Sequence, residues 1–264
     1  MLRKAKDMNG YKLSALDGEI GAVQDFYFDD QSWTVRYLIA DTGGWLNERT
    51  VLISPYALEP AKFSERVIPV DLTKHQIESS PSLAAHKPVS RQYEMQYYPF
   101  FGWPAYWDGP YAWGPTAYPA RNERWMGHPS RKEAGDPHLR STHDVTGHHI
   151  HAKDGDIGHV YDFVIDDETW AIRYLIVDTR NWFPGKKVLV SPQWIRRVSW
   201  SEAKLFVNLS REAIKHSPEI TEEAIITRDY EMELYRHYNQ PCYWAKEPPL
   251  KEHPSKRVRE NAHL

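Results

Sequence analysis

An internal duplication constrains this chain more than any other feature of its sequence. At a constant offset of 137 residues, DGEIGAVQDFYFDDQSWTVRYLIADTGGWLNERTVLISP (17–55) lies over DGDIGHVYDFVIDDETWAIRYLIVDTRNWFPGKKVLVSP (154–192) without a gap, and 21 of 39 positions are identical. The frame continues through Val70, Leu72 and Ile77 over Val207, Leu209 and Ile214, and through Arg91, Tyr93, Glu94 and Tyr98 over Arg228, Tyr230, Glu231 and Tyr235. It ends on Tyr106-Trp107 over Tyr243-Trp244, and from Asp7 to Trp107 it matches 39 of 101 positions. One structural unit is therefore made twice, and the repeat has to be read before any single element. The sequence divides into a first repeat (1–107), a linker insert (108–140), a second repeat (141–244) and a tail (245–264) whose Pro248, Pro249 and Pro254 among alternating Lys and Glu read as disordered. Two copies of a small unit are expected to pack as an internal pseudo-dimer, burying equivalent faces as a symmetric homodimer would.

Within each copy the apolar pattern has period two. Ile20, Val23 and Phe26 to Phe28 lead into Asp29-Asp30-Gln31-Ser32, after which Trp33, Val35, Tyr37 and Ile39 alternate with Thr34, Arg36 and Leu38. This spacing predicts a long hairpin with a four-residue acidic connection, repeated around Asp166-Asp167-Glu168-Thr169. Val51 to Ile53 and Val188 to Val190 read as short strands that stop at Ser-Pro, and 67–72 and 204–209 as another pair. Several short strands in so few residues favour a small barrel, because closure removes exposed edges. Thr73 to Ile77 and Ser210 to Ile214 read as single helical turns. A short amphipathic helix ending near Asn239 is expected in the second copy from Ile220-Thr221-Glu222-Glu223 and Thr227 to Tyr238, whereas Tyr98-Pro99-Phe100-Phe101-Gly102-Trp103-Pro104 is expected to break it in the first. The predicted fold is mainly β: two tandem small barrels in a pseudo-symmetric pair, with short peripheral helices and an insert rich in proline and aromatic residues.

The segments DGEIGAVQDFYFDD, VRYLIADTGGWL and VLISP, with their second-copy partners DGDIGHVYDFVIDD and IRYLIVDTRNWFPGKKVLVSP, closely resemble the PRC-barrel family. That small barrel occurs in the photosynthetic reaction-centre H subunit and in a ribosome-maturation factor. The resemblance covers about 65 residues of each copy. It implies the fold, and it is nearest to the free-standing bacterial type with two tandem barrels. Family members differ in what they hold, so the likeness implies little about activity. The reaction-centre relative tunes electron and proton transfer beside a membrane complex, through a subunit whose N-terminal transmembrane helix is not seen here.

Bulk properties exclude more than they select. Lys and Arg number 33 against 36 Asp and Glu, for a net charge of -3, which leaves no general positive field for nucleic acid. The single Cys242 rules out an internal disulfide and any cysteine-rich metal centre. No run approaches the length of an apolar membrane span. A soluble, cytoplasmic protein is the expectation.

The first candidates for chemistry are polar residues that occur twice. Asp25, Asp29, Asp30, Arg36 and Asp41 recur as Asp162, Asp166, Asp167, Arg173 and Asp178. Turn capping and a cross-strand pair of Arg36 with Asp25, or Arg173 with Asp162, account for them without catalysis. His148, His149 and His151 are the candidate metal ligands, the last two on one strand face, provided His128, His138 or His143 folds over them. Cys242 is read as a packing residue. From Tyr97 to Tyr118 an aromatic falls every two or three residues between Gly and Pro, predicting an extended segment that wraps the junction of the barrels, docks a partner or, least favoured because Lys and Arg are missing between the aromatics, stacks bases. Interaction candidates are Trp103, Trp107 and Trp113 in that segment, Trp244 in the second copy, and two loops carrying Asp41 and Trp45 or Asp178, Arg180 and Trp182. The resulting functional expectation is a non-catalytic interaction or scaffold module for an unidentified protein partner, with no cofactor. The alternatives are a peripheral regulator of a membrane or electron-transfer complex, and an enzyme or metal-binding protein with its site between the barrels.

Overall fold

The computed structural model describes residues 1–43, 46, 50–81, 89–120, 138–179 and 185–245. The first copy supplies β1 (Leu2–Lys4), α1 (Ala5–Met8), β2 (Lys12–Ala15), β3 (Gly18–Asp29), β4 (Thr34–Asp41), β5 (Val51–Ile53), β6 (Val67–Pro69), α2 (Lys74–Ser79) and α3 (Arg91–Phe100). The second supplies β7 (Leu139–Ser141), α4 (Thr142–Val145), β8 (His149–Ala152), β9 (Gly155–Asp166), β10 (Ile172–Asp178), β11 (Lys187–Val190), β12 (Ile195–Ser199), β13 (Lys204–Val207), α5 (Arg211–Lys215) and α6 (Arg228–His237). The first sheet has the order β5-β4-β3-β2-β6 and the second β11-β10-β9-β8-β13-β12, with β2–β6 and β13–β8 parallel and the other pairs antiparallel. Among the described residues no strand ladder joins β5 to β6 or β11 to β12.

The long hairpins are as the alternation predicts, but neither face of the returning strand reaches water. All of β4 except its last residue is buried, and all of β10. Apolar side chains of β4 enter the core, and residues from later in the repeat cover its polar ones: Tyr106 lies over Arg36, and Glu94 meets Tyr37. The hairpin bends sharply where β3 meets the end of β4, and a Cβ on Gly21 (φ +130°) would lie 1.9 Å from the Asp41 carbonyl oxygen. Only glycine fits that approach. Gly158 faces Asp178 in the same way, at 2.0 Å.

The two copies trade strands. β3 runs for 12 residues, but β2 covers only its first part, Gly18 to Ala22. The far edge, Tyr27 to Asp29, is paired by β7 of the second copy, and the far edge of β9 by β1 of the first. The two exchanges have one register: Leu2 faces Asp166 as Leu139 faces Asp29, and Lys4 faces Val164 as Ser141 faces Tyr27. Between the hairpin ends Thr34 bridges its own repeat-equivalent, Ala171, which places a pseudo-twofold axis at this point. Ile172 N donates to the Trp33 carbonyl at 2.7 Å, and Val35 N to the Trp170 carbonyl at 2.8 Å. Trp33 and Trp170 have φ of 51° and 59°, in the left-handed region that costs a bulky residue roughly 1–2 kcal/mol. The twist presents their carbonyls to the opposite copy.

Charged groups repeat the exchange. Arg140 on β7 meets Asp30 at 2.9 Å, and Arg3 on β1 meets Asp167 at 3.4 Å. Asp25 accepts from the Ser141 and Thr142 hydroxyls and from His143 N, the Thr142 contact being 2.6 Å, so it ties down the first turn of α4. Its counterpart Asp162 accepts from Lys6 N at 3.2 Å at the start of α1. These carboxylates are thus spoken for, and the expected pairing of Arg36 with Asp25 is not formed. Arg36 pairs instead with Asp29 at 3.2 Å, and Arg173 with Asp166 at 2.9 Å, because each arginine lies beside its own turn while Asp25 and Asp162 point across the axis.

A second expectation is corrected in α3, which runs for 10 residues through Pro99, as long as α6. Pro99 is the next-to-last residue of α3, so the one bond it cannot make, to the carbonyl four residues back, leaves the preceding turns intact and only Phe100 follows it. Ser90 and Thr227 cap the two helices through their hydroxyls, at 3.2 and 3.3 Å from Tyr93 N and Tyr230 N.

Because β1 matches the register of β7, a fragment of residues 1–120 has its own strand to lend. Expressed alone it is expected to form a homodimer through mutual β1–β3 pairing; a folded monomer by light scattering would refute the exchange as the source of stability.

Candidate functional site

The doubled polar residues converge beneath α3 and α6. Glu94, 2% exposed, accepts from the hydroxyls of Tyr37 (3.1 Å) and Tyr106 (3.0 Å) and pairs with Arg91 at 3.0 Å. Glu231 repeats this with Tyr174 at 2.7 Å and Arg228 at 3.0 Å. The arginine guanidiniums of the strand and the helix stack on the same ring: Arg36 lies 3.8 Å and Arg91 5.2 Å from the Tyr106 centroid, and Arg173 lies 4.2 Å from that of Tyr243. Burial pushes the Glu94 carboxyl up to about 7 against the pull of Arg91 and the two hydroxyls, and raises Glu231 in the same sense. Burial acts on Asp166 too, but there the Arg173 guanidinium and its other donors win and hold the carboxyl below its usual range. Each carboxylate is thus held by groups of its own repeat, although Arg36 Nε beside the first network is buried without a hydrogen-bond partner. A nucleophile with an adjacent base is not among them.

Beside each network, between the arginine and the hairpin turn of the other copy, lies a cleft. On the first-copy side it is filled. Trp113 is fully buried there, donating its indole N–H to the Thr169 carbonyl at 2.8 Å, while Tyr56 donates to the Trp113 carbonyl at 3.1 Å. Arg36 donates to the carbonyl of Ala112 and lies 4.9 Å from the indole ring. Gly114 permits the approach: a Cβ on it would lie 2.7 Å from the Ala105 carbonyl. On the second-copy side the corresponding cleft is a cavity of about 490 Å³. It is lined by Ser32 and Trp33 of the first copy and by Arg173, Gln193, Arg197 and Tyr243 of the second. Its rim is basic, with Arg196 and Arg197 exposed where the first copy has Glu59 and Pro60.

The remaining sequence candidates are dispersed. Trp103 and Trp113 are buried in the aromatic packing and present no surface to a partner, which corrects their reading as docking contacts: the Gly and Pro turns fold the segment back onto Tyr56, Tyr97 and Tyr98. Trp107 and Trp244 are half-buried, each under an arginine, Arg91 at 4.0 Å and Arg228 at 4.1 Å. Asp41 is exposed and accepts from Gly43 N at 3.0 Å, whereas Asp178 is fully buried and is not a surface contact. Trp45, Arg180 and Trp182 lie outside the described residues, as does His128. Of the metal candidates, His151 is held by Asp156 at 2.7 Å, His148 packs edge-on against Trp200 and His149 is exposed. His138 sits 3.5 Å from Asp30, and His143 is bound through its backbone to Asp25, so neither folds over the strand. Among the described residues no group of three or more His, Cys, Asp or Glu side chains is placed to hold a metal. Cys242 is half-buried against the core.

This architecture defines a class before any comparison: a tandem-repeat β protein whose duplicated polar groups are used internally. A family model described as the PRC-barrel domain matches residues 4–77 and 143–212, more than half of the chain. The protein belongs to the PRC-barrel domain family and carries that domain twice in tandem. A comparison with curated proteins finds no match. Among the described residues no helix is long and apolar enough to cross a membrane.

The Glu94 network and the Trp113 plug each generate a measurable outcome. A buried carboxyl that titrates near 7 binds its proton more tightly folded than unfolded, so stability is expected to fall as pH rises from about 4.5 to about 7. Glu94→Gln should flatten that slope, gaining on the order of 1–3 kcal/mol relative to wild type at pH 8 and nothing at pH 4. Denaturant titrations across this range check it, and an unchanged slope would assign the titration elsewhere. Trp113→Ala should cost roughly 3–5 kcal/mol, as for other fully buried aromatics. Trp107→Ala, at a half-buried ring, should cost much less, and equal losses in thermal melts would contradict the assigned burial.

Proposed function

We propose that the two repeats form one obligate pseudo-dimer of small barrels that serves as a non-catalytic interaction module, and that it receives a protein partner in the cleft beside Arg173. The observation that carries this reading is the difference between two equivalent clefts. One is sealed by Trp113; the other, among the described residues, is a cavity of the size that ligand-binding clefts usually have. The two copies of the site differ at Tyr56, Glu59 and Pro60 on one side and Gln193, Arg196 and Arg197 on the other. The groups around this cleft suit recognition better than catalysis. Asp30 is held by Arg140 and Arg173 by Asp166, while Gln193, Arg196 and Arg197 are exposed where they line the cleft, the Arg197 guanidinium lying 4.0 Å over the Phe206 ring. The partner surface implied by a basic rim around a partly apolar floor is an acidic segment with an apolar anchor.

A photo-crosslinking residue placed at Gln193 and, as control, at exposed Lys153 tests the assignment in cells. The expected result is one adduct of defined mass from position 193, lost in the double variant Arg196→Glu with Arg197→Glu, and absent from position 153. Equal labelling at both positions, or labelling indifferent to the two arginines, would refute the cleft as the docking site.

A further inference from the structure

Along β8 the histidines of one face stand two residues apart, but a nearer neighbour lies across the ladder. His149 on β8 is the register partner of His159 on β9. Their pairing is of the kind without hydrogen bonds between the partners. His149 N donates away from β9, to the Ala203 carbonyl at 2.8 Å, while the ladder bond beside the pair runs from Val160 N to the His148 carbonyl at 2.9 Å. Residues opposed in this way have their Cβ atoms roughly 4.5–5.5 Å apart, at the close end of that range. Two imidazoles so placed reach a single ion at the ~2.0–2.1 Å of a metal–nitrogen bond.

Both rings are open to such an ion. His149 is exposed and His159 half-buried, and among the described residues neither side chain has a hydrogen bond, ion pair or ring contact. Their neighbours are engaged elsewhere. His151, next along the same face of β8, is bound through Nδ1 to Asp156 at 2.7 Å. Lys204, the neighbour of His149 on β13, has its Nζ 3.9 Å from the same carboxylate, which offsets the ammonium charge beside the pair. The array therefore offers two nitrogen donors and not three. Imidazole pairs suit divalent ions of the zinc, nickel and copper class, whereas calcium and magnesium take oxygen ligands.

The first copy has the same backbone without the ligands. Lys12 and Ala22 stand in the same register, and Lys12 N donates to the Arg66 carbonyl at 2.9 Å as His149 N does to Ala203. The Lys12 ammonium pairs with Glu19 at 3.2 Å. We infer that His149 and His159 form a surface chelate for one divalent transition-metal ion, the remaining positions falling to water. The site is independent of the cleft beside Arg173 and belongs to the second copy alone.

Calorimetric titration of the full-length protein with Zn²⁺ at neutral pH tests the assignment, and one saturable ion per chain is expected. His149→Lys and His159→Ala each install the residue that the other copy carries at that place, so the fold accommodates them. Each should weaken binding at least about tenfold, because the second imidazole no longer joins the first on one scaffold. His151→Ala should leave the affinity unchanged. Lys12→His with Ala22→His, which sets the same pair in the same register of the first copy, should raise the stoichiometry from one ion to two. With Cu²⁺ in place of zinc, electron paramagnetic resonance should show two imidazole nitrogens on the ion in the wild type and one in each single variant. No saturable Zn²⁺ binding, or an isotherm indifferent to both His149→Lys and His159→Ala, would overturn the site. A loss on His151→Ala equal to that on His159→Ala would overturn the cross-strand pair, as would a stoichiometry still of one in the first-copy double variant when its thermal melt shows it folded.

Discussion

Unpaired backbone along the far half of β3 and β9 is the constraint on which the rest of the molecule depends. A 12-residue strand flanked by a four-residue neighbour leaves N–H and C=O groups that must find partners or water. Each copy meets the need with the other copy's opening strand. Once β1 and β7 are exchanged, the connected helices α1 and α4 are carried across the axis as well. Asp25 and Asp162 then become caps for the opposite copy, and Arg140 and Arg3 are brought to Asp30 and Asp167. The left-handed backbone at Trp33 and Trp170 belongs to the same arrangement, since it aims their carbonyls at the facing hairpin. A modest conformational cost is accepted at two residues to satisfy two donors at the axis.

Symmetry also separates what is structural from what is particular. The Glu94 and Glu231 networks occur in both halves with the same residue types in the same places, and both are sealed under the closing Tyr-Trp of the repeat. Buried carboxylates with raised affinity for protons often mark active sites. Here each is surrounded by hydroxyl and guanidinium donors from its own repeat, which is the pattern of a structural anchor joining helix to sheet. The asymmetric features lie elsewhere, at the two clefts flanking the axis. One insert, present once in the chain, fills one cleft with a tryptophan and leaves its twin with a different rim. A duplicated chain can vary one copy of a surface while the other keeps the fold intact.

Much of the architecture is legible in the residues. The ungapped offset gives two units, the alternation around Trp33 and Trp170 gives the hairpins, and Ser or Thr before Arg91, Arg211 and Arg228 marks the helix starts. Pro99 misleads because it stands one residue before the helix ends, where a single lost bond does not undo the turns that precede it. Arg36 misleads for another reason. Its nearest acids by strand register include Asp25, but the partner of Asp25 lies 117 residues away in sequence, on the helix of the other copy. The Tyr37–Glu94–Tyr106 set carried a signal that could have found it, since all three recur at the repeat offset, yet nothing in the spacing of a strand tyrosine and a helix glutamate says that they touch.

By itself the sequence determined that this protein is a duplicated β unit of the PRC-barrel type, with short capped helices and an aromatic insert. Apart from the duplication, which the offset of 137 residues reveals, those properties are local: they follow from periodicity, turn residues and caps. The tertiary structure alone decided which copy each opening strand joins and which of two equivalent clefts the insert's tryptophan fills. Local sequence is nearly the same for both choices of partner strand, so pattern cannot distinguish pairing within a copy from pairing between copies. That choice is made by long-range packing around the axis, and the asymmetric cleft is its consequence.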